Sequence, residues 1–446
     1  MRHEARSRVS FSTTLLTAIL FACLPALAGQ LEPLGSPKQA AVGPASLSSS
    51  LVQVVSGAEP LVVARGRGFR VHDGRIQVHI RCASSEAAQQ VVSLLFRDGA
   101  DAILQREVFV QAWANPETIE AVASLPGVVR VERPIYALRP PGPELRRDDD
   151  MSASLLAGSR VTEGLAAMNG PAWHSAGATG QGVSVGIIDS FHGYETLLGT
   201  ELPPASRVEF LKIGGGARDT SPHGTACAEI VYDVAPDLEK MYLIEANTSL
   251  EVQQAIETLQ ARGVRVISAS FGWPGVTPMD GTGFMQGALG SFTGAGGLWV
   301  QSAGNYRNVN LWLSLVDADA DGWAEFDSNG AYEINEIVRD TGSSVNYPVG
   351  EEIDVRLSWN QWSSPQTDLD LYLYYYDPNE AKWVKVAESV DAQNGQTSQY
   401  PYESISFTTE KAGRYGVAIR RAGGPASVQM HVWLGAVYSN YWLAFR

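Results

Sequence analysis

Apolar and polar residues alternate along R-I-Q-V-H-I-R-C, Arg75 to Cys82, the period of a strand with one buried face. Directly after it, Ala88, Val91, Val92 and Leu95 recur at helical spacing within Ser85 to Arg97. Ala102 to Ala114 then reads as a strand and Pro116 to Leu125 as a helix. Val128 to Glu132 reads as a strand after the Pro126-Gly127 turn. A β-α-β-α-β succession in so small a unit predicts a ferredoxin-like α+β domain over 71–138.

From about Leu165 to Leu311 the texture changes to near-continuous apolar runs. They are Val183 to Ile188, Lys240 to Glu245, Val264 to Ser270 and Leu298 to Ser302. Helical stretches at Thr225 to Tyr232 and Ser249 to Arg262 separate them, the second stopped by Gly263. Apolar strands with intervening helices predict an α/β core over 161–311, with a parallel sheet covered on both faces. Beyond it the helical pattern vanishes. Six strand-like runs follow: Glu352 to Trp359, Asp368 to Tyr375, Trp383 to Glu388, Ser404 to Thr409, Tyr415 to Arg420 and Val428 to Leu434. In the first, Ile353, Val355, Leu357 and Trp359 share a face, and the set predicts an all-β sandwich over 312–446.

Two stretches interrupt this order. Residues 29–70 are rich in Gly, Pro, Ala and Ser and are expected to be a linker. Residues 139–160 open on R-P-P-G-P-E-L-R-R-D-D-D, a second linker and a candidate processing region. Residues 1–28 place Arg2, Arg6 and Arg8 before an apolar Leu15 to Leu24 and end in Ala26-Leu27-Ala28, the layout of an export signal. The expected location is therefore secreted, periplasmic or extracellular, with no transmembrane segment in the mature protein. A net charge of −15 argues against nucleic acid as a partner. Of the three cysteines Cys23 would leave with the signal, and Cys82 and Cys227 fall in different units, so no disulfide framework is implied.

Candidate chemistry centres on His223, in S-P-H-G-T-A-C-A-E-I. Pro222 and Gly224 read as a turn feeding a helix, which places the imidazole in the helix's first turn. Asp189 ends the run V-G-I-I-D-S, where a parallel strand presents its carboxyl end to ligands. Asn305 ends the run G-L-W-V-Q-S-A-G-N. Taken singly, each has a plain role: a strand-terminating aspartate, a surface histidine, a turn asparagine. Cys227, one helical turn after His223, is assigned to the core, with its sulfur packing back towards the sheet.

In this order and spacing the three motifs resemble the subtilisin-like serine proteases. Pro126 to Glu132 is similar to the end of that family's inhibitory propeptide. T-D-L-D-L-Y-L, Thr367 to Leu373, is similar to the jelly-roll-like modules that accompany secreted bacterial peptidases. The resemblance implies that Asp189 orients and stabilises the imidazole, that His223 is general base and then acid, and that Asn305 donates to the oxyanion. It further implies that Ser270, Phe271 and Gly272 form the edge along which an extended substrate pairs, with Ala303 and Gly304 as the facing wall. The partners implied are a polypeptide substrate and the chain's own propeptide domain, acting as an intramolecular inhibitor. No cofactor is required for catalysis.

The family's nucleophile sits in a Gly-Thr-Ser-x-Ala motif, and none occurs up to Arg446. Ser302, Ser343 and Ser344 lack that context. The expectation is thus a parallel-sheet subtilisin-like core that is incomplete, from a secreted serine endopeptidase inactive as it stands. The alternative is a non-catalytic pseudopeptidase that binds peptides or surface polymers. Asp317, Asp319 and Asp321 stand in D-A-D-A-D-G-W-A-E-F, alternating oxygen donors with Gly322 at the turn. Ser328 occupies the twelfth place, so the loop is no EF-hand. It is either a structural calcium loop or a solvated acidic turn.

Overall fold

The computed structural model describes residues 46–138, 161–304, 310–326, 332–339, 346–362, 364–395, 399–435 and 441–443. The signal over 1–28, the linker over 139–160, Asn305, Ser343 and Ser344 lie outside the described residues. The described chain combines helices with one parallel sheet and three antiparallel ones.

The N-terminal unit runs α1 (Ser49–Ser56), α2 (Pro60–Gly66), β1 (Val71–His72), β2 (Arg75–Cys82), α3 (Ser85–Arg97), β3 (Asp101–Arg106), β4 (Phe109–Ala114), α4 (Pro116–Ala123) and β5 (Val128–Glu132). The expected single strand over Ala102 to Ala114 is a hairpin. Glu107 takes the left-handed conformation (φ 50°), so the chain reverses over two residues without the glycine that signals such turns. The succession from β2 is therefore β-α-β-β-α-β, in an antiparallel sheet ordered β3-β4-β2-β5, with β1 on the first residues of β2. Where the sequence suggests a linker over 29–70, the described part forms α1 and α2. Ser48 caps α1 by accepting from Leu51 N, and Leu51, Val54 and Ala64 are buried in the unit's core.

The central unit runs α5 (Glu163–Ala167), α6 (Gly170–Ser175), β6 (Ser184–Asp189), β7 (Val208–Lys212), α7 (His223–Val234), β8 (Lys240–Glu245), α8 (Ser249–Ala261), β9 (Val266–Ala269), α9 (Gln286–Gly294) and β10 (Leu298–Gln301). Its five strands are all parallel, in the order β10-β9-β6-β8-β7. Neighbouring residues of β6 feed opposite faces. Ile188 joins the cluster beneath α8 and α9, and Ile187 the cluster that includes Ala228 of α7. β7 was missed by the sequence reading because its residues are only half-buried at the sheet's edge.

The C-terminal unit contains β11 (Asn310–Ser314), β12 (Asn335–Arg339), β13 (Glu352–Trp359), β14 (Asp368–Asp377), β15 (Lys382–Ser389), β16 (Tyr402–Thr408), β17 (Tyr415–Gly423), β18 (Gln429–Gly435) and β19 (Tyr441–Leu443). Two antiparallel sheets, β11-β18-β13-β16 and β15-β14-β17-β12-β19, share one apolar core. Val355, Leu357 and Trp359 from one sheet meet Leu369, Leu371 and Val417 from the other in that core.

Candidate active site

β6 ends on Asp189, which is fully buried. One carboxylate oxygen, Oδ1, accepts from the backbone N–H of Ser190 (2.7 Å) and from its hydroxyl (3.3 Å). The other, Oδ2, lies 2.9 Å from Nδ1 of His223, the first residue of α7. A hydrogen bond from Nδ1–H to the carboxylate leaves Nε2 as the basic nitrogen. The helix start is held against the strand end by Gly224 N–H donating to Ser190 O (2.8 Å). A Cβ on Gly224 would lie 2.4 Å from the Cβ of Asp189 and 2.5 Å from Ser190 O, so only glycine permits this approach. That is the physical content of the His-Gly pair.

Cys227 departs from the expectation. Its sulfur stays on the side of His223, with ligand atoms of Asp189, His223 and Cys227 all within 4.8 Å of one another. Residues four apart on a helix share a face, and here that outweighs the backward tilt of the side chain. Burial, and then the Asp189 charge, push the Cys227 thiol up, against a hydrogen bond with Ser270. A thiol held protonated is a poor nucleophile.

Beside this pair runs an occupied groove. Leu138 and Gly272 form an antiparallel bridge through two hydrogen bonds, Leu138 N to Gly272 O (2.8 Å) and Gly272 N to Leu138 O (3.0 Å). Tyr136 bridges Thr248 in the same sense, and Ala137 N donates to Asn247 O (2.7 Å). The tail of the N-terminal unit is thus an extended strand laid between the end of β9 and the start of α8. Of the expected substrate edge, Gly272 carries the pairing. Ser270 is half-buried, and Phe271 is buried in the core, edge-to-face with Trp273 at 5.3 Å. Ala303 and Gly304 follow β10, whose Gln301 pairs with Ala269 of β9, so they leave the sheet at the same end as 270–272. Asn305 lies just outside the described residues.

Residues that the sequence reading overlooked fasten the tail. Glu251, almost fully buried, takes hydrogen bonds from Gln77 Nε2 (2.7 Å) and Gln111 Nε2 (2.9 Å) of the N-terminal sheet. It also takes them from the backbone of Asn247 (2.7 Å) and Thr248 (3.2 Å) at the start of α8. Thr248 and Glu251 form a capping box whose T-x-x-E spacing is a sequence signal that went unused, while its second use as an anchor for another unit leaves no such signal. From the C-terminal unit, buried Arg356 donates to Asp354 (2.9 Å) and to Tyr136 O (3.3 Å). Arg130 pairs with Asp391. All three units therefore meet at the tail.

The acidic loop lies apart, between β11 and β12. Oxygens of Asp317, Asp319 and Glu325 lie within 4.8 Å of one another, and so do those of Asp319, Asp321 and Glu333. The expected set, Asp317, Asp319 and Asp321, is thus divided, with Asp319 common to both groups. Burial, then the charges of Asp321, Asp319 and Glu325, push the Glu333 carboxyl up to about 7.

No model of a known protein family matches the chain, and no curated protein matches it. Among solved structures it is similar to the surface-associated copper-binding protein CorA of Methylomicrobium album BG8 (10% identity, 28% of this chain, 92% of that one, TM-score 0.16). It is similar also to the CBM22-1 xylan-binding domain of Paenibacillus barcinonensis Xyn10C (11% identity, 30% of this chain, 94% of that one, TM-score 0.16). Likenesses at these TM-scores assign neither a fold nor a function to the chain.

Proposed function

We propose that this chain is a secreted subtilisin-like serine endopeptidase in its propeptide-bound form. Its 446 residues would carry the propeptide, the acid and imidazole of the catalytic machinery, and the peptide groove. One observation carries the reading: the 2.9 Å contact between Asp189 and His223, at the carboxyl end of a parallel sheet, beside an edge already paired with an extended segment. Asp189 fixes the imidazole and stabilises the imidazolium, while His223 Nε2 takes the proton from an attacking hydroxyl and returns it to the leaving amine. Asn305 would donate to the oxyanion, and Gly272 would hold the substrate main chain, with Ala303 and Gly304 opposite. The tail over Tyr136 to Leu138 fills the groove as a substrate would, which makes the N-terminal unit an intramolecular inhibitor.

The attacking hydroxyl has no Gly-Thr-Ser-x-Ala motif in these residues. Among the described residues β10 ends the sheet, with Leu298 and Val300 about half exposed (56% and 49%). A polypeptide of these 446 residues is therefore expected to bind peptide without turning it over. The test uses Leu138→Pro, which removes the N–H donated to Gly272 and frees the groove. A labelled peptide spanning Arg133 to Leu138 should bind this variant and be excluded from the parent chain, with no casein-type turnover by either. Equal binding to both would overturn the occupied-groove reading. Turnover by either chain that His223→Ala abolishes would overturn the expectation of binding without turnover.

A further inference from the structure

Glu325 is 4% exposed, and its two carboxylate oxygens are treated unequally. Oε1 accepts from the backbone N–H of Ala318 (2.8 Å), while Oε2 is buried with no hydrogen-bond partner among the described residues. Around it stand Asp317 and Asp319, with oxygens within 4.8 Å of its own, and Asp319 is shared with Asp321 and Glu333. Among the described residues only Asp317 of these five has an ion-pair partner, Arg421 at 2.8 Å. A buried carboxylate oxygen without a donor is costly, and like charges gathered around it add to the cost. A solvated acidic turn would expose such a group to water, and this loop instead turns it inward.

We propose that Asp317, Asp319 and Glu325 hold a structural calcium ion, with Oε2 of Glu325 as the buried anchor. The donors are all carboxylate oxygens, which selects a hard cation over zinc or copper. Oxygens within 4.8 Å of one another suit an ion bound at roughly 2.3–2.6 Å to each, as calcium is, and calcium takes several carboxylates directly where magnesium usually keeps its waters. Glu325 replaces Asp321 in the set expected from the alternating aspartates. Asp321 and Glu333 add negative charge beside Asp319. The ion would close the loop over 317–325 after β11 and, through Arg421 on Asp317, hold it to β17. The proposal does not depend on the peptidase reading.

The 446-residue chain, stripped by a chelator, is titrated with calcium by calorimetry and with terbium by luminescence sensitised through buried Trp323, two residues from Glu325. Calcium should raise the thermal midpoint and displace terbium, and Glu325→Gln should weaken calcium by about tenfold or more. In chelator, Glu325→Gln should unfold no earlier than the parent, because it removes a charge that nothing offsets. Absence of a midpoint shift at millimolar calcium overturns the proposal. So does unchanged calcium affinity in Glu325→Gln, whether or not that variant is less stable.

Discussion

Asp189 and Glu325 are both buried carboxylates, 0% and 4% exposed, yet one is answered on every side and the other is not. Asp189 receives two donors from Ser190 and the imidazole of His223. Glu325 receives one backbone N–H, and among the described residues none donates to Oε2. Burial therefore marks two kinds of acidic site. The first is finished by the protein itself and can orient a base. The second is left unfinished by the described groups of the protein, and the proposed ion would finish it.

The sharpest way to break this contrast is His223→Ala, which leaves Asp189 without its imidazole. Removing one member of a buried pair costs about 3–5 kcal/mol, and the Ser190 donors should keep the loss near 3 kcal/mol, measured by denaturant unfolding. A loss below about 0.5 kcal/mol, the range of ordinary surface changes, would mean that Asp189 is satisfied without its partner. Gly224→Ala keeps both side chains but forces strand and helix apart. Overpacking against backbone should cost about 2–3 kcal/mol and abolish the Asp189–His223 contact, read as a changed imidazole resonance.

His431 shows a third way of handling burial, which is to stay neutral. Burial lowers it from 6.5 to about 4, beneath the stacked ring of Trp312. Because the folded value lies below the unfolded one, stability is full above pH 6.5 and is lost as the pH falls towards 4. The expected loss is about 2 kcal/mol by pH 4.5, and His431→Gln should flatten that part of the profile. An unchanged profile would place the acid sensitivity elsewhere. Gln111→Ala gives the smallest effect, about 1–2 kcal/mol, by removing one donor from buried Glu251. It should also speed cleavage of the chain near Leu138 in limited proteolysis.

Much of this was legible in the sequence, and what was missed has definite causes. Lys240–Glu245, Glu352–Trp359 and Val128–Glu132 fall on the expected bounds, because each is a short apolar or alternating run closed by turn residues. Asp189 at a strand end and His223 at a helix start were also legible, since Pro222 and Gly224 mark the junction. The hairpin at Glu107 was hidden by a left-handed residue that is not glycine. The helices α1 and α2 were hidden by a Gly- and Pro-rich composition, although Leu51 and Val54 are buried. The tail at Tyr136 to Leu138 pairs through its main chain, which leaves no mark on side-chain pattern. Glu325 and Glu333 come after the aspartate run has been broken by Trp323, four and twelve residues beyond Asp321, and folding brings them to Asp319.

The central claim is that the imidazole of His223 and the edge at Gly272 serve one peptide. It is tested most directly by labelling the histidines of the Leu138→Pro chain and following the His223 imidazole resonance while the Arg133-to-Leu138 peptide is added. The account predicts a saturable shift of that resonance at the concentration where the peptide binds. Binding that leaves the His223 signal unmoved would contradict it.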